Sequence, residues 1–285
     1  MLNNIVWLIF DSARHDAFVA ARTPVMDRIG RVERRFSYAS WTAPAHYAFL
    51  MGVTPHCNES GLLAADVHRT DVALWAERTG SDTGISFADF APKLSLPAFL
   101  KRIGYRTEAY VSMPVLNPAT VIARDFDVFE LMPAHNDLAA IVERLSFGGY
   151  PRFVLINTGE THYPYALPGE DMSSLPRIAG LHGVWRSLDD FLHRPGAALH
   201  GKHVFDEDSL RPLWRKQVVC IEHLDRVVEM LLDVVPPNTW LMIGSDHGEL
   251  FGEGGFFGHG PVFHEKVFEV FFLEGPRPRA AHGRT

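Results

Sequence analysis

The stretch NIVWLIFD, residues 4–11, places an unbroken apolar run from Ile5 to Phe10 directly before Asp11. A run without polar alternation is typical of a strand that is covered on both faces of a parallel sheet. The run is also too short for a transmembrane helix or for a signal peptide. The stretch therefore predicts a buried central strand whose carboxyl end carries a carboxylate.

Apolar runs of the same kind recur along the chain, with helical patterns between them. Further strands are predicted at 36–39, 107–111, 153–156, 240–243 and 267–273, and helices at 23–33, 95–104 and 210–235. Strands that alternate with helices predict an α/β fold in layers around a mostly parallel central sheet. Because no shift in composition divides the chain, we expect one domain over residues 1–285, with irregular insertions at about 57–94 and 163–208.

The charge and composition exclude some classes of function. The 285 residues contain 27 Lys and Arg against 34 Asp and Glu, a net charge of −7, which argues against a nucleic-acid-binding surface. Cys57 and Cys220 are far apart in the sequence, which favours reduced thiols over a disulfide. Since the pattern contains no membrane segment and no signal peptide, we expect a cytoplasmic protein.

Polar side chains follow four of the predicted strands, at the point where each strand ends. They are Asp11, Thr42, Glu160 with His162, and Asp246 with His247. In an open α/β sheet, ligands bind beyond the carboxyl ends of the strands, where such side chains meet. The four clusters together predict a single site at this edge of the sheet.

The residue types in these clusters favour a metal site. Asp11, Asp246, His247 and the hydroxyl of Thr42 form a mostly oxygen ligand set, which suits one divalent ion: zinc, manganese, magnesium or calcium. Thr42 precedes a predicted helix, so a hydroxyl there faces the positive end of the helix dipole, where phosphate-like anions bind. Thr42 is therefore a candidate nucleophile, activated by the metal. The alternative is that Thr42 only caps the helix.

Several longer motifs then appear in one particular order. They are NNIVWLIFDSARHDAF at 3–18, TPVMDRIGRVERRFSYASWTAPAHYAFLMGVTPH at 23–56, ETHYPY at 160–165, GSDHGELFGE at 244–253, GHG at 258–260 and FHEKVFEVFFLEG at 263–275. In this order they resemble the sulfatase-like branch of the alkaline phosphatase superfamily, with a threonine at the nucleophile position. The resemblance covers most of the chain and is weakest at 61–94 and 163–208.

The resemblance implies an alkaline-phosphatase-like three-layer sandwich in which most of the usual C-terminal subdomain is missing. Part of the substrate pocket would then be absent, or be supplied by the insertions or by a partner chain, as in a homo-oligomer. It also implies a metal-dependent hydrolase of small phosphoesters, of the phosphodiesterase or phosphatase type. Sulfatase activity is not expected, because threonine cannot be converted to the formylglycine of true sulfatases. The implied metal is one zinc or manganese ion, with magnesium or calcium as alternatives, held by Asp11, Thr42, Asp246 and His247.

The remaining site residues follow from the same resemblance. Thr42, His162 and His259 are assigned catalytic roles, and His46, Glu160 and His264 are assigned to the substrate. A second ion could be held by Glu160, His162, His259 and His264, although Thr158 stands where two-metal relatives have an aspartate. Two other functions stay open: a phosphoethanolamine- or phosphoglycerol-transferase-like enzyme, and a non-catalytic relative that binds a metal or an anion.

Overall fold

The fold is built on a seven-stranded, mostly parallel sheet. The computed structural model describes residues 2–57, 73–81, 95–171, 205, 207–260 and 262–279. The strand order is β2-β9-β6-β1-β5-β3-β4, and only β9 runs opposite to the other six. The strands are β1 (Asn4–Phe10), β2 (Glu33–Phe36), β3 (Arg106–Val111), β4 (Val128–Leu131), β5 (Arg152–Thr158), β6 (Thr239–Ser245) and β9 (Glu269–Pro276). A separate hairpin joins β7 (Leu250–Phe251) to β8 (Phe257–Gly258).

Helices cover both faces of this sheet. They are α1 (His15–Ala20), α2 (Thr42–Leu50), α3 (Leu96–Arg102), α4 (Leu138–Val142), α5 (Glu207–Val234) and α6 (Glu265–Phe268), and residues 73–79 are also helical. Side chains of β1 alternate between two cores: Val6, Leu8 and Phe10 pack with α1, α4 and α5, whereas Ile5, Trp7 and Ile9 pack with α2, α3 and the 73–79 segment. Because a strand points successive side chains to opposite faces, the sheet that contains β1 is the middle layer of a three-layer sandwich. The predicted α/β fold is confirmed.

Most of the predicted elements are present, with boundaries within a few residues. The predictions at 5–10, 107–111, 153–156 and 240–243 correspond to β1, β3, β5 and β6, and those at 95–104 and 210–235 correspond to α3 and α5. The strand predicted at 267–273 starts at Glu269, because residues 265–268 form the short helix α6. Apart from the helical segment 73–79 and residues 163–171, the predicted insertions lie largely outside the described residues.

Two predictions between residues 23 and 39 are wrong. The helix predicted at 23–33 is only a short 3₁₀ turn at Met26–Arg28, and the strand predicted at 36–39 lies at 33–36. Tertiary packing overrides the helical pattern, since a Cβ at Gly30 would lie 2.3 Å from the carbonyl oxygen of Glu274 in β9. The chain therefore passes close to β9 at Gly30 and then pairs with it as β2.

Cys57 and Cys220 form no disulfide; Cys57 is exposed and Cys220 is buried. None of the described helices is both long enough and apolar enough to span a membrane.

The long helix α5 offers a matched test of the core. Leu231 is fully buried against the sheet, whereas the neighbouring Met230 is 41% exposed. We expect Leu231→Ala to lower the free energy of unfolding by about 2–5 kcal/mol, because it removes buried apolar groups and leaves a cavity. Met230→Ala should change it by less than about 0.5 kcal/mol. Urea unfolding followed by circular dichroism measures both values, and equal losses would contradict this packing of α5.

Candidate metal centre

Three potential ligands meet at the carboxyl ends of β1 and β6. These strands are parallel neighbours, so Asp11 and the Asp246-His247 pair leave the sheet side by side. One ligand atom from each of Asp11, Asp246 and His247 lies within 4.8 Å of the other two, and all three residues are fully buried. Gly248 permits the tight turn after them, because a Cβ there would lie 2.1 Å from the carbonyl oxygen of Lys266.

The hydrogen bonds of the two aspartates leave one oxygen aimed into the cluster. Asp246 Oδ1 accepts hydrogen bonds from the amides of Ser12, at 3.1 Å, and His247, at 3.0 Å. Asp11 Oδ2 accepts from the Asn157 side chain at 2.9 Å. Asp246 Oδ2, in contrast, is buried and has no hydrogen-bond partner within the described part of the chain. A buried carboxylate oxygen without a donor is costly, and a cation would compensate it.

Burial dominates the electrostatics of this cluster. Burial, and next the charge of Asp11, raises the pKa of Asp246 well above its usual range. Burial would also raise the pKa of Asp11, but the nearby His162 and the hydrogen bond from Asn157 hold it below its usual value. Burial lowers the pKa of His247 well below its ordinary value, so this imidazole is neutral at pH 7. A neutral imidazole and an ionised carboxylate are the forms that bind metals.

Thr42 is the first residue of α2, and its hydroxyl lies at the cluster. Thr42 Oγ1 is 3.3 Å from Asp11 Oδ2 and 3.3 Å from His247 Nε2. The N-cap position of α2 belongs to Trp41, which makes no side-chain capping bond. The hydroxyl of Thr42 is therefore directed at the predicted metal ligands rather than at the amides of its own helix.

Three histidines surround the cluster, in different environments. His46 is fully buried on α2, where its Nδ1 lies 2.8 Å from the Thr42 carbonyl oxygen and 3.8 Å from Asp246 Oδ2. The ring of His259 lies 4.3 Å from that of His247 and 5.2 Å from that of His162, centre to centre. His162 and His259 are also buried, but each retains 8% exposure, whereas His46 and His247 have none.

Glu160 and His264, which the sequence analysis assigns to the substrate, both accept hydrogen bonds from other groups of the protein. The carboxylate of Glu160 accepts hydrogen bonds from the Leu138 amide, at 2.8 Å at the start of α4, and from the Thr158 hydroxyl. His264 is the N-cap of α6 and accepts from the Lys266 amide. Within the described ranges, the only metal-ligand group that the structure assembles is the one around Asp11, so it gives no support to a second ion.

Further residues that sequence reasoning missed hold the site in place. Glu249 is fully buried; one of its oxygens lies 3.2 Å from His259 Nδ1, and the other accepts a hydrogen bond from the Tyr165 hydroxyl. This pairing engages Nδ1 of His259, and its Nε2 makes no hydrogen bond within the part of the chain that the structure describes. The available sequence signals were an acid two residues after Asp246-His247 and a polar residue, Asn157, at the end of an apolar run. Neither signal indicates which residue the side chain of Glu249 or Asn157 contacts in the folded protein.

The donor set fits a divalent cation. It combines two carboxylates, one neutral imidazole and one hydroxyl, and it contains an unpaired buried oxygen, Asp246 Oδ2. Carboxylate oxygens with imidazole suit zinc and manganese and also accommodate magnesium. The residues present therefore agree with the metal site that the sequence predicts.

Comparison with known proteins relates the chain to others by structure alone. No protein-family model and no curated protein sequence matches it. The C-terminal periplasmic domain of EcEptC from Escherichia coli, in a complex with Zn, is 14% identical with a TM-score of 0.53, and the match covers 97% of this chain and 73% of that one. The corresponding domain of phosphoethanolamine transferase EptC from Campylobacter jejuni is 12% identical with a TM-score of 0.52, over 95% and 78% of the two chains.

The phosphonate monoester hydrolase of Agrobacterium radiobacter is 16% identical with a TM-score of 0.56, over 96% of this chain and 68% of that one. A 2-O GAG sulfatase also shares the fold, with a TM-score of 0.56. These structural neighbours are members of the alkaline phosphatase superfamily, and the chain has the fold that they share. At this identity the likeness establishes the fold and not the activity.

The first prediction for this site concerns metal binding. We expect the wild type to bind one equivalent of Zn²⁺ or Mn²⁺ in a calorimetric titration. Asp246→Asn should weaken binding by more than about 100-fold, beyond the loss typical of a residue that only supports a ligand. Asp233→Asn, at an exposed carboxylate near the end of α5, is the matched control and should leave the affinity unchanged. Equal affinity of the wild type and Asp246→Asn would place the ion elsewhere.

The second prediction concerns pH. Burial raises the pKa of Glu160 to about 7, although hydrogen bonds from Thr158 and Leu138 favour the charged form. The folded state therefore binds more protons than the unfolded state between roughly pH 4.5 and 7, and the wild type loses stability as pH rises through this window. Glu160→Gln keeps the shape of the side chain without its charge. Between pH 5 and 8 the free energy of unfolding of the wild type should fall by about 2–3 kcal/mol more than that of Glu160→Gln. If urea unfolding gave the two proteins the same change in the free energy of unfolding between pH 5 and 8, the raised pKa of Glu160 would be excluded.

Proposed function

We propose that this chain is a metal-dependent enzyme that hydrolyses small phosphoesters, of the phosphodiesterase or phosphatase type, with Thr42 as the nucleophile. The observation that supports it most is the position of Thr42 Oγ1, 3.3 Å from both Asp11 Oδ2 and His247 Nε2. A lone threonine is a weak nucleophile, so its place beside three buried potential ligands at the start of α2 is what favours this role.

Asp11, Asp246, His247 and Thr42 would hold one divalent ion, zinc or manganese. When bound, such an ion lowers the pKa of the Thr42 hydroxyl and offsets the negative charge of the two aspartates. The imidazole ligand and the Zn complex of the E. coli structural neighbour both favour zinc. Asn157 and the Ser12 amide keep the two aspartates in place through their hydrogen bonds.

Phosphoryl transfer would proceed in two steps. In the first, Thr42 Oγ1, already deprotonated, forms a bond to phosphorus while the bond to the leaving alcohol breaks, and a protonated His162 or His259 gives its proton to the leaving oxygen. In the second, water attacks the phospho-threonine, gives a proton back to the imidazole and releases Thr42 in the deprotonated form with which the cycle began. The start of α2 favours the negative charge of the bound phosphoryl group, because its first amides point towards it.

His259 is well suited to the proton-transfer role. Its Nδ1 is engaged by Glu249, which is itself held by Tyr165, so the ring presents Nε2 to the site. A carboxylate that orients an imidazole in this way also stabilises the imidazolium form. His46, in contrast, is enclosed by α2 and the core, so its proposed contribution to substrate binding would act through Thr42 and Asp246.

Transfer to an acceptor other than water is the second candidate function. Its support is the likeness of the fold to a phosphoethanolamine transferase, whose TM-score of 0.52 is slightly below the 0.56 of the phosphonate monoester hydrolase. Hydrolysis of sulfate esters is not proposed, because Thr42 cannot supply the formylglycine that sulfatases use. The cytoplasmic location and the homo-oligomer stay predictions from the sequence.

The test is an assay of Zn²⁺- or Mn²⁺-loaded protein with bis(p-nitrophenyl) phosphate and p-nitrophenyl phosphate. Thr42→Ala should lower kcat/KM by about 1,000-fold or more, because it removes the nucleophile, and Thr42→Ser should retain part of the activity. Nitrophenol release that requires added glycerol or ethanolamine would identify the transferase instead. Undiminished turnover by Thr42→Ala would exclude Thr42 as the nucleophile. p-Nitrophenyl sulfate should not be hydrolysed.

A further inference from the structure

A single buried amide on α5 connects the two loops that hold Asp11. Gln217 is fully buried, and its Nε2 donates hydrogen bonds of 2.9 Å to the carbonyl oxygens of Ser12 and Thr161. Its Oε1 accepts a hydrogen bond of 3.2 Å from the Arg14 amide. One side chain thus satisfies backbone groups on both segments that flank the candidate metal centre.

Glutamine is the residue type that this position requires. Two carbonyl oxygens face one end of the side chain and an N–H faces the other, so the orientation of the amide is determined by its partners. A glutamate would place a carboxylate against two carbonyl oxygens. An apolar residue would leave both carbonyl groups buried without donors, at a cost that exceeds the loss of an ordinary hydrogen bond.

The Ser12 side of this contact reaches both aspartates. Ser12 has a left-handed backbone, with φ of 61°, which is unfavourable for a residue with a side chain. In this conformation its amide donates to Asp246 Oδ1 at 3.1 Å, and its hydroxyl donates to Asp11 Oδ1 at 3.1 Å. A strained residue persists only where its surroundings hold it, and Gln217 holds its carbonyl.

The Thr161 side reaches Asp11 through the backbone. The Thr161 hydroxyl donates to the Asp11 carbonyl oxygen at 2.7 Å, and the Asp11 amide donates to the Thr158 carbonyl oxygen at 2.9 Å. Gln217 bonds the Thr161 carbonyl, so it fixes the loop after β5 against the turn after β1. Asp11 is held between these two segments.

We propose that Gln217 is a positioning residue for the candidate metal centre, which it preorganises by holding Ser12 in the left-handed conformation and Thr161 against Asp11. This proposal rests on the proposed function in one respect, namely that a metal ion binds to Asp11, Asp246 and His247. The contacts themselves belong to the protein alone, and they can be tested without activity and without metal.

The experiment compares Gln217→Met with Leu224→Ala, which removes a fully buried apolar side chain from the same helix and no side-chain hydrogen bond. Titration with Co²⁺, followed by its visible absorption, measures the affinity and the coordination geometry. We expect Gln217→Met to weaken Co²⁺ binding by about 10–100-fold and to change the spectrum, as loss of a supporting residue does. Leu224→Ala should lower the urea midpoint but leave the Co²⁺ affinity within about twofold of wild type.

The second readout uses the metal-free protein. Amide hydrogen exchange, measured by NMR, compares Ser12, which donates to Asp246, with Leu8 in the centre of β1. Global destabilisation speeds both amides alike, whereas loss of the Gln217 contact should speed Ser12 by at least about tenfold relative to Leu8. Should Gln217→Met not fold, Gln217→Glu replaces it, because it keeps the shape, loses both donors and places a carboxylate against the carbonyl oxygens of Ser12 and Thr161.

The two readouts separate this proposal from the proposed function. Unchanged Co²⁺ affinity together with an unchanged ratio of Ser12 to Leu8 exchange would overturn the role of Gln217. If the wild type binds no Co²⁺, the metal-dependent function fails, and the exchange ratio alone then decides whether Gln217 holds Ser12.

Discussion

Two buried carboxylates lie side by side at the centre of this protein, and the surrounding structure is arranged around them. Asp11 and Asp246 end adjacent parallel strands and are both inaccessible to solvent. Burying like charges together is strongly unfavourable unless a counter-charge is present. The hydrogen bonds from Asn157 and Ser12 satisfy some of the oxygens, yet Asp246 Oδ2 has no described donor. A divalent cation would supply the missing positive charge, which is why a metal is central to the proposed function.

The apolar core makes such a costly site tolerable. Every residue of β1 is buried, and its side chains enter the cores on both faces of the sheet. The helix α5 contributes to stability and to the site at once: its later turns pack Leu224 and Leu231 against the sheet, and an earlier turn places Gln217 beneath the two loops. Because one rigid element serves both purposes, changes in α5 can affect metal binding without touching a ligand.

The sequence predicts those parts of the molecule that depend on local pattern. Asp11 and Asp246-His247 were predicted to meet because each follows an unbroken apolar strand, and strand ends converge in a parallel sheet. The helix predicted at 23–33 fails for the opposite reason: the close approach of Gly30 to β9 depends on a residue far away in the sequence. Glu249 and Gln217 could not be predicted either, since a single polar residue in a motif or a helix does not reveal which loops it contacts. The long-range hydrogen bonds that support the site are therefore the part that required a structure.

If Thr42 is the nucleophile, its chemistry is the same for a hydrolase and for a transferase up to the phospho-threonine. The two activities then differ only in the oxygen that attacks this intermediate. Asp11, Asp246, His247 and His46 are fully buried, whereas His162 and His259 each retain 8% exposure. The attacking oxygen must therefore arrive past these two imidazoles and give its proton to one of them. It follows that the surroundings of His162 and His259, and not the metal ligands, decide between water and an alcohol as the acceptor.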